Sequence, residues 1–209
     1  ISPRKFRDQN LWYIENFPKN QYLVSPELSG LSRVEVAEFD RRNVKVIAIP
    51  QRRLAYIRYR GPYFDLRGGR TAAIAKLHQW ATLLGIWQDD TEVIGIGGNN
   101  PVITPPEYCQ YDVGLEVDDG LVEDEVVSIR IMPPLTIATL DVAGTTQNIR
   151  EACRWLSSTW FQQSGYRMAN YPCFEIYEPF EGKPGSTRTG IRLCMPVSSN
   201  RDCVASDAI

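Results

Sequence analysis

The sequence predicts an α+β fold of two β-α-β-β repeats in a pseudo-twofold arrangement, with a mostly antiparallel sheet and one long helix per repeat. The first supporting observation is that residues 50–61 are echoed 83 residues later by residues 133–144. The second is that each copy is followed by a stretch with helical periodicity and then by two further strand-like stretches. A unit repeated once within 209 residues favours one two-part domain.

The first strand is predicted over residues 44–59, which alternate as a single strand with Tyr59 on the more apolar face. The second copy keeps this alternation. Gly61 and Gly144 follow at the points where each chain segment must turn.

One helix is predicted after each of these strands, because apolar residues recur there at helical spacing. The two stripes are Ile74, Leu77, Ala81 and Leu84 in the first repeat, and Ile149, Cys153, Leu156 and Trp160 in the second. Gly85 and Gly165 stand where a left-handed C-terminal cap is expected.

Two strands are predicted after each helix. They cover residues 92–97 and 110–117 in the first repeat and residues 173–177 and 190–197 in the second. The offset between the repeats is 80 residues here, so that a glycine at position 95 corresponds to a glutamate at position 175.

Composition limits the possible function classes. The chain is 43% hydrophobic and 23% charged, and its net charge of −2 provides no electrostatic footprint for nucleic acid. No apolar run is long enough to cross a membrane, and the N-terminus lacks a signal-peptide pattern. We therefore expect a cytoplasmic protein with no membrane partner.

Metal and cofactor chemistry is not indicated. The five cysteines form no Cys-x-x-Cys pair, and there is one histidine, His78. We expect free thiols, no metal, no cofactor and no Cys-His nucleophile. Residues 116–125 contain six acidic side chains without the spacing of a calcium loop, which predicts a solvated connection.

The candidate site is centred on a single carboxylate. Alternation places Cys173, Glu175 and Tyr177 on one face of their strand, while the matching face of the first repeat offers Gly95 and Gly97. Glycines opposite a carboxylate and a phenol predict a hollow that is polar on one side. An organic cation could neutralise the carboxylate there, since a buried charge is costly unless it is paired.

Two questions about this site stay open at the sequence level. Glu175 could instead form a cross-strand ion pair with an arginine such as Arg192. The candidates for an aromatic wall could equally be ordinary core residues. The candidates are Tyr59, Tyr63, Tyr111 and Trp155, with Phe64 and Trp160 as further options.

Several motifs in order resemble the gyrase-inhibitor-like ligand-binding domain. They are Arg60-Gly-Pro-Tyr63, residues 95–101, residues 104–109 and the strand Pro172-Cys-Phe-Glu-Ile-Tyr177. The resemblance covers residues 42–198. It implies an effector-binding cleft between two β-α-β-β units, with Glu175 as the acidic ligand contact.

The first seven residues, Ile1-Ser-Pro-Arg-Lys-Phe-Arg7, resemble the end of an AraC-type helix-turn-helix domain. This resemblance implies that DNA is contacted by helices that precede residue 1 and are missing from this chain. The expected organisation is a terminal helix of that domain at 1–17, a linker at 18–42, an effector-binding domain at 43–198 with repeats 43–118 and 126–198, and a tail at 199–209.

The leading hypothesis is the effector-binding region of an AraC-type transcription regulator that binds a lipophilic or cationic small molecule. One alternative is a hydrolase in which Glu175 works with Glu116 or Glu178 as acid and base. The other is a protein-binding module without a small ligand. The leading hypothesis assigns no catalytic residue.

Overall fold

The computed structural model describes residues 39–63, 69–99, 103–144, 146–177 and 189–199. The predicted helix at 1–17, nearly all of the linker at 18–42 and the tail after Ser199 lie outside these ranges. The strands are β1 Lys45–Ile49, β2 Arg52–Arg60, β3 Val93–Gly97, β4 Gln110–Glu116, β5 Ser128–Met132, β6 Leu135–Gly144, β7 Tyr166–Met168, β8 Phe174–Tyr177 and β9 Thr189–Ser199. The helices are α1 Gly69–Leu83, α2 Thr146–Trp155, a π-helical stretch Leu156–Trp160 and α3 Phe161–Ser164.

The sheet follows the order β1-β6-β9-β8-β3-β4-β2-β5, with β7 added on β9. All of these pairs are antiparallel. The predicted α+β class and antiparallel sheet are therefore confirmed. From one edge inward the strands are β1, β6, β9 and β8, and from the other edge they are β5, β2, β4 and β3. The two halves of the sheet therefore have equivalent orders. The two halves meet at the β3–β8 pair.

The single strand predicted over residues 44–59 is wrong, because the chain forms two strands there, β1 and β2. Pro50 lies between them, and a proline cannot donate the N–H that a continuous ladder would need. The second repeat has the same break, with Pro133 and Pro134 between β5 and β6.

The first strand of each repeat pairs with a strand of the other repeat. β1 precedes β2 in the chain but pairs with β6, while β5 precedes β6 but pairs with β2. β5 and the short strand β7 were not predicted. The exchange joins the two repeats along both edges of the sheet, in addition to the central β3–β8 pair.

The helices pack on one face of the sheet, with α1 over β2 and β4 and α2 over β6. α1 buries Ala73, Leu77, Trp80 and Ala81. Leu84, which was expected in this stripe, lies beyond the end of α1 and is 54% exposed. In the second helical segment Ile149, Leu156 and Trp160 are buried as predicted and Cys153 is half-buried.

The two predicted glycine caps are confirmed. Gly85 has a φ of 70° and Gly165 a φ of 75°, both in the left-handed region that glycine adopts most readily. Among the described residues, no helix is long and apolar enough to cross a membrane.

Candidate ligand-binding site

The site lies where the two halves of the sheet meet. In the β3–β8 ladder Gly95 is the direct cross-strand partner of Glu175, and Val93 is the partner of Tyr177. Residues on this face point towards the helices. The intervening Ile94 and Ile176 join a second apolar cluster on the opposite face. The glycine and glutamate that correspond between the repeats are thus adjacent in space.

Two phenols hold the carboxylate of Glu175. The Tyr111 hydroxyl lies 2.6 Å from Oε2, the Tyr177 hydroxyl lies 2.8 Å from the same oxygen, and the two hydroxyls are 2.7 Å apart. Each phenol has one proton to donate. Two of these three contacts can therefore be hydrogen bonds at once, and the carboxylate accepts at least one of them.

Tyr111 reaches Glu175 because position 95 is a glycine. A Cβ atom at Gly95 would overlap the Tyr111 hydroxyl and come within 2.6 Å of its Cζ. The space directly above Gly95 is therefore filled by the phenol, although the backbone at Gly95 still lines the cavity described below. At Gly97 a Cβ atom would lie 3.4 Å from the Tyr63 ring, an ordinary contact distance.

Both phenols stay neutral near pH 7. Burial first, and the negative charge of Glu175 second, raise the pKa of Tyr111 well above its usual value of 10. The same two causes raise the pKa of Tyr177 in the same order. Both groups therefore keep the proton with which they can donate to the carboxylate.

The positive charge nearest to Glu175 in the described structure is Arg70, in the first turn of α1. One Arg70 guanidinium nitrogen lies 3.6 Å from Glu175 Oε2. The guanidinium carbon lies 5.5 Å from the ring centroid of Tyr111 and 5.9 Å from that of Tyr177, within cation–π range. Burial alone would lower the pKa of Arg70, but the two phenols and the carboxylate outweigh it and raise the pKa.

Sequence reasoning missed Arg70 and named another arginine. Arg192 pairs with Asp141 at 2.7 Å and reaches Glu92 at 4.0 Å. The alternative of an arginine partner for Glu175 is thus correct in residue type, but the partner is Arg70 on a helix and not Arg192 across the strands. Strand alternation could not identify Arg70, because it lies on a helix that crosses above the sheet. The signal available in the sequence was the position of Arg70 near the start of the predicted helix, shortly after Arg60-Gly-Pro-Tyr63.

A cavity of about 330 Å³ opens beside this network, between α1 and the second helical segment. The predicted residues Glu175, Tyr63, Tyr111, Gly95 and Gly97 line it. Further lining comes from Arg70, Arg150, Cys153, Leu156, Ser157, Leu193, Met195 and residues 169–174.

Three predicted site residues lie elsewhere. Tyr177 is behind Glu175 and supports it without lining the cavity. The Tyr59 hydroxyl occupies the space that a side chain at Gly61 would need. Trp155 packs on Phe39, with ring centroids 5.7 Å apart.

Tyr63 forms the other aromatic wall. Its hydroxyl donates to the backbone oxygen of Asn99 and accepts from the backbone nitrogen of the same residue, both at 2.6 Å. Burial raises the pKa of Tyr63 to about 12. These bonds tie the chain after β2 to the chain after β3, and they fix the ring against the Gly97 backbone.

The thiols in the cavity are not poised as nucleophiles. Burial raises the pKa of Cys173 to about 12 and also raises that of Cys153. The four cysteines within the described ranges carry free thiols. Within those ranges no cluster of histidine, cysteine and acidic side chains could hold a metal ion.

The structure does not bring a second carboxylate to the cavity from the residues it describes. Glu116 is half-exposed at the end of β4, where it lies 3.7 Å from Arg52. Glu178 lies outside the described residues. Of the described residues that line the cavity, Glu175 is the one with an acidic side chain.

Residues 42–198 match the family described as the GyrI-like small molecule binding domain. The chain belongs to this family. The match has the bounds that the sequence motifs indicated. It covers both repeats, so the cavity of this GyrI-like domain lies entirely within the matched region.

One relative and two solved structures are similar to this GyrI-like domain. The SPbeta prophage-derived protein YosT of Bacillus subtilis strain 168, whose name describes a transcriptional regulator, is 32% identical over 78 residues, 36% of this chain and 49% of YosT. EcmrR in its complex with DNA has a TM-score of 0.57 at 16% identity, over 75% of this chain and 57% of the EcmrR chain. The EcmrR C-terminal domain has a TM-score of 0.55 at 16% identity, over 75% of this chain and 97% of that domain. The chain thus spans about half the length of YosT.

Proposed function

We propose that this GyrI-like domain is the effector-binding region of a transcription regulator and that it binds a lipophilic small molecule in the cavity between its two halves. The observation that carries the proposal is the Glu175 carboxylate, held by two neutral phenols at the wall of a cavity of about 330 Å³. Cavities of this kind, mostly apolar with a few convergent polar groups, are typical of small-molecule sites.

The proposed ligand contacts are Glu175, Tyr111, Tyr63 and the backbone at Gly97. The aromatic rings offer apolar surface, while the carboxylate, whose side chain is 16% exposed, orients polar groups of the ligand. Tyr177 acts through Glu175 by fixing the position of its Oε2. A ligand changes transcription only if it binds one arrangement of sensor and DNA-binding parts better than another.

The regulatory role is supported by relatives. YosT is named for transcriptional regulation. The C-terminal domain of EcmrR, a protein whose structure is known in a complex with DNA, has the same fold. At 16% identity the fold is what EcmrR shares with this chain, so the role itself belongs to the proposal.

A finer proposal is that the regulator is of the AraC type. It is supported by the resemblance of Ile1-Ser-Pro-Arg-Lys-Phe-Arg7 to the end of an AraC-type DNA-binding domain. The sequence encoded immediately upstream of Ile1 tests it. Two helix-turn-helix units there would support the AraC type, and a different kind of DNA-binding domain would contradict it.

The ligand-binding role is tested by calorimetric titration with a panel of lipophilic aromatic compounds. We expect Glu175→Gln to lower the affinity of compounds that donate a hydrogen bond to this carboxylate by about tenfold or more, since a hydrogen bond to a charged group contributes roughly 1.5–3 kcal/mol. Glu116→Gln is the matched control, because it makes the same chemical change outside the cavity. Equal affinities for the two variants, or no binding from the whole panel, would contradict the proposal.

A further inference from the structure

Arg70 occupies the place that a cationic ligand would take. Its guanidinium lies 3.6 Å from the Glu175 carboxylate and within 6 Å of two phenol rings, where it receives both the ion-pair and the cation–π attraction of the site. The Arg70 side chain is 22% exposed, so this charge is held in place largely out of water. The carboxylate is therefore already paired in the protein without ligand.

We propose that Arg70 is a built-in counter-ion of Glu175 and that it sets the ligand class of the cavity. With Arg70 in place, the cavity selects lipophilic carboxylates over lipophilic cations. The inference rests on the proposed function and deepens it by naming the charge of the ligand. It also replaces the expectation, drawn from the single carboxylate, that a cation would bind.

The charges of the lining support this selection. Arg70 is the cation in contact with Glu175, and Glu175 is the one acidic side chain among the described residues that line the cavity. An incoming cation would have to displace the guanidinium of Arg70 from Glu175 and from the two phenol rings. An incoming carboxylate meets the guanidinium of Arg70, and this attraction is strengthened where water is excluded.

The geometry of the pair leaves donors for such a ligand. At 3.6 Å the contact between Arg70 and Glu175 is an ion pair that is too long for a good hydrogen bond. A guanidinium carries five N–H donors in a planar fork that fits a carboxylate through two parallel bonds. The apolar part of the ligand then packs on Tyr63, Leu156 and Met195, which line the same cavity.

Three probes with one heavy-atom skeleton and different charge test the proposal. They are biphenyl-4-carboxylate, biphenyl-4-carboxamide and biphenyl-4-carboxamidine, which carry negative, zero and positive charge at neutral pH. Calorimetric titration of the full chain should show the carboxylate binding about tenfold or more tighter than the amidinium. Arg70→Gln should lower that ratio by about tenfold or more.

Arg154→Gln is the matched control, because this exposed arginine is also helical but does not line the cavity. It should leave the ratio unchanged, and Arg70→Lys should largely preserve it. Glu175→Gln offers a second measurement that does not require the Arg70→Gln variant to fold. This variant should raise the preference for biphenyl-4-carboxylate over the amidinium. A melting curve for each variant verifies that it is folded.

The possible failures are distinguishable. If the amide binds but the wild-type chain prefers the amidinium, or if Arg70→Gln and Arg154→Gln give the same ratio, the role of Arg70 is wrong and the proposed binding function stands. If none of the three probes binds to the wild-type chain, the result contradicts both the proposed function for this ligand class and the inference that rests on it.

Discussion

The Glu175 carboxylate lies on a largely buried surface, where its neighbours compensate for lost water. Moving a carboxylate out of water costs several kcal/mol, about as much as good pairing and hydrogen bonding can return. Here Tyr111 and Tyr177 supply the hydrogen bonds and Arg70 supplies the opposite charge. The arrangement depends on one absent side chain, because Tyr111 crosses above β3 only where Gly95 has no Cβ atom.

We therefore predict that Gly95→Ala destabilises the protein by about 1–3 kcal/mol, the usual cost of forcing extra volume into a packed interior. The added methyl group would push the Tyr111 ring away from Glu175. Urea unfolding measures the loss. Gly97→Ala is the control on the same strand face, because its methyl group would meet the Tyr63 ring at an ordinary contact distance. If the two variants lost the same stability, the close approach at Gly95 would not matter.

The acidic connection between the repeats is attached to α1 through one side chain. Asp124 accepts the indole N–H of Trp80 at 2.9 Å and the backbone N–H groups of Val126 and Val127 at 2.6 and 2.9 Å. These hydrogen bonds lower the pKa of Asp124. The bond from Trp80 is the largest cause, and those from the backbone follow. The connection is thus solvated, as the sequence indicated, but it is anchored at this point.

This anchor predicts a pH dependence. Because the folded-state pKa of Asp124 is lowered, its stabilising effect is fully present above the unfolded value of about 3.9 and is lost as the pH falls through the lower folded value. Urea unfolding from pH 7 to pH 3 should show Asp124→Asn less stable than wild type at neutral pH, with the difference shrinking below about pH 4. Asp119→Asn, an exposed site in the same connection, should show no such difference. A difference for Asp124→Asn that did not change with pH would contradict this explanation.

At the level of elements, sequence reasoning succeeded where the signal is local or repeated. The caps at Gly85 and Gly165 follow from glycine conformation, and the pairing of Gly95 with Glu175 follows from the repeat, because equivalent strands meet at the centre of the sheet. The exchange of β1 and β5 was not predictable in this way. Alternation shows that a segment is a strand but does not identify its partner. Arg70 was missed for a related reason, since its contact with Glu175 joins a helix to a strand about 100 residues away.

At the scale of the whole molecule, the two repeats share one sheet and the same apolar clusters. The larger apolar cluster contains Leu77 of the first repeat together with Leu140 and Leu193 of the second. The cluster on the opposite face joins Ile94 to Ile176. Both outer strands are supplied by the other half, so neither repeat has a complete sheet or a complete core by itself.

We therefore predict that neither half folds alone. A protease site introduced after Gly120, which lies in the exposed connection, allows the chain to be cut into two fragments. The fragment before the cut lacks β6, the partner of β1, and the fragment after it lacks β2, the partner of β5. Urea unfolding of each fragment, followed by circular dichroism, should show no cooperative transition. The reason is that large apolar surfaces and unpaired strand edges stay exposed in each fragment. The cut but undissociated protein is the control and should unfold cooperatively, and mixing the separated fragments should restore that transition. A cooperative transition from either isolated fragment would show that the repeats are independent domains and that the exchange of β1 and β5 is dispensable.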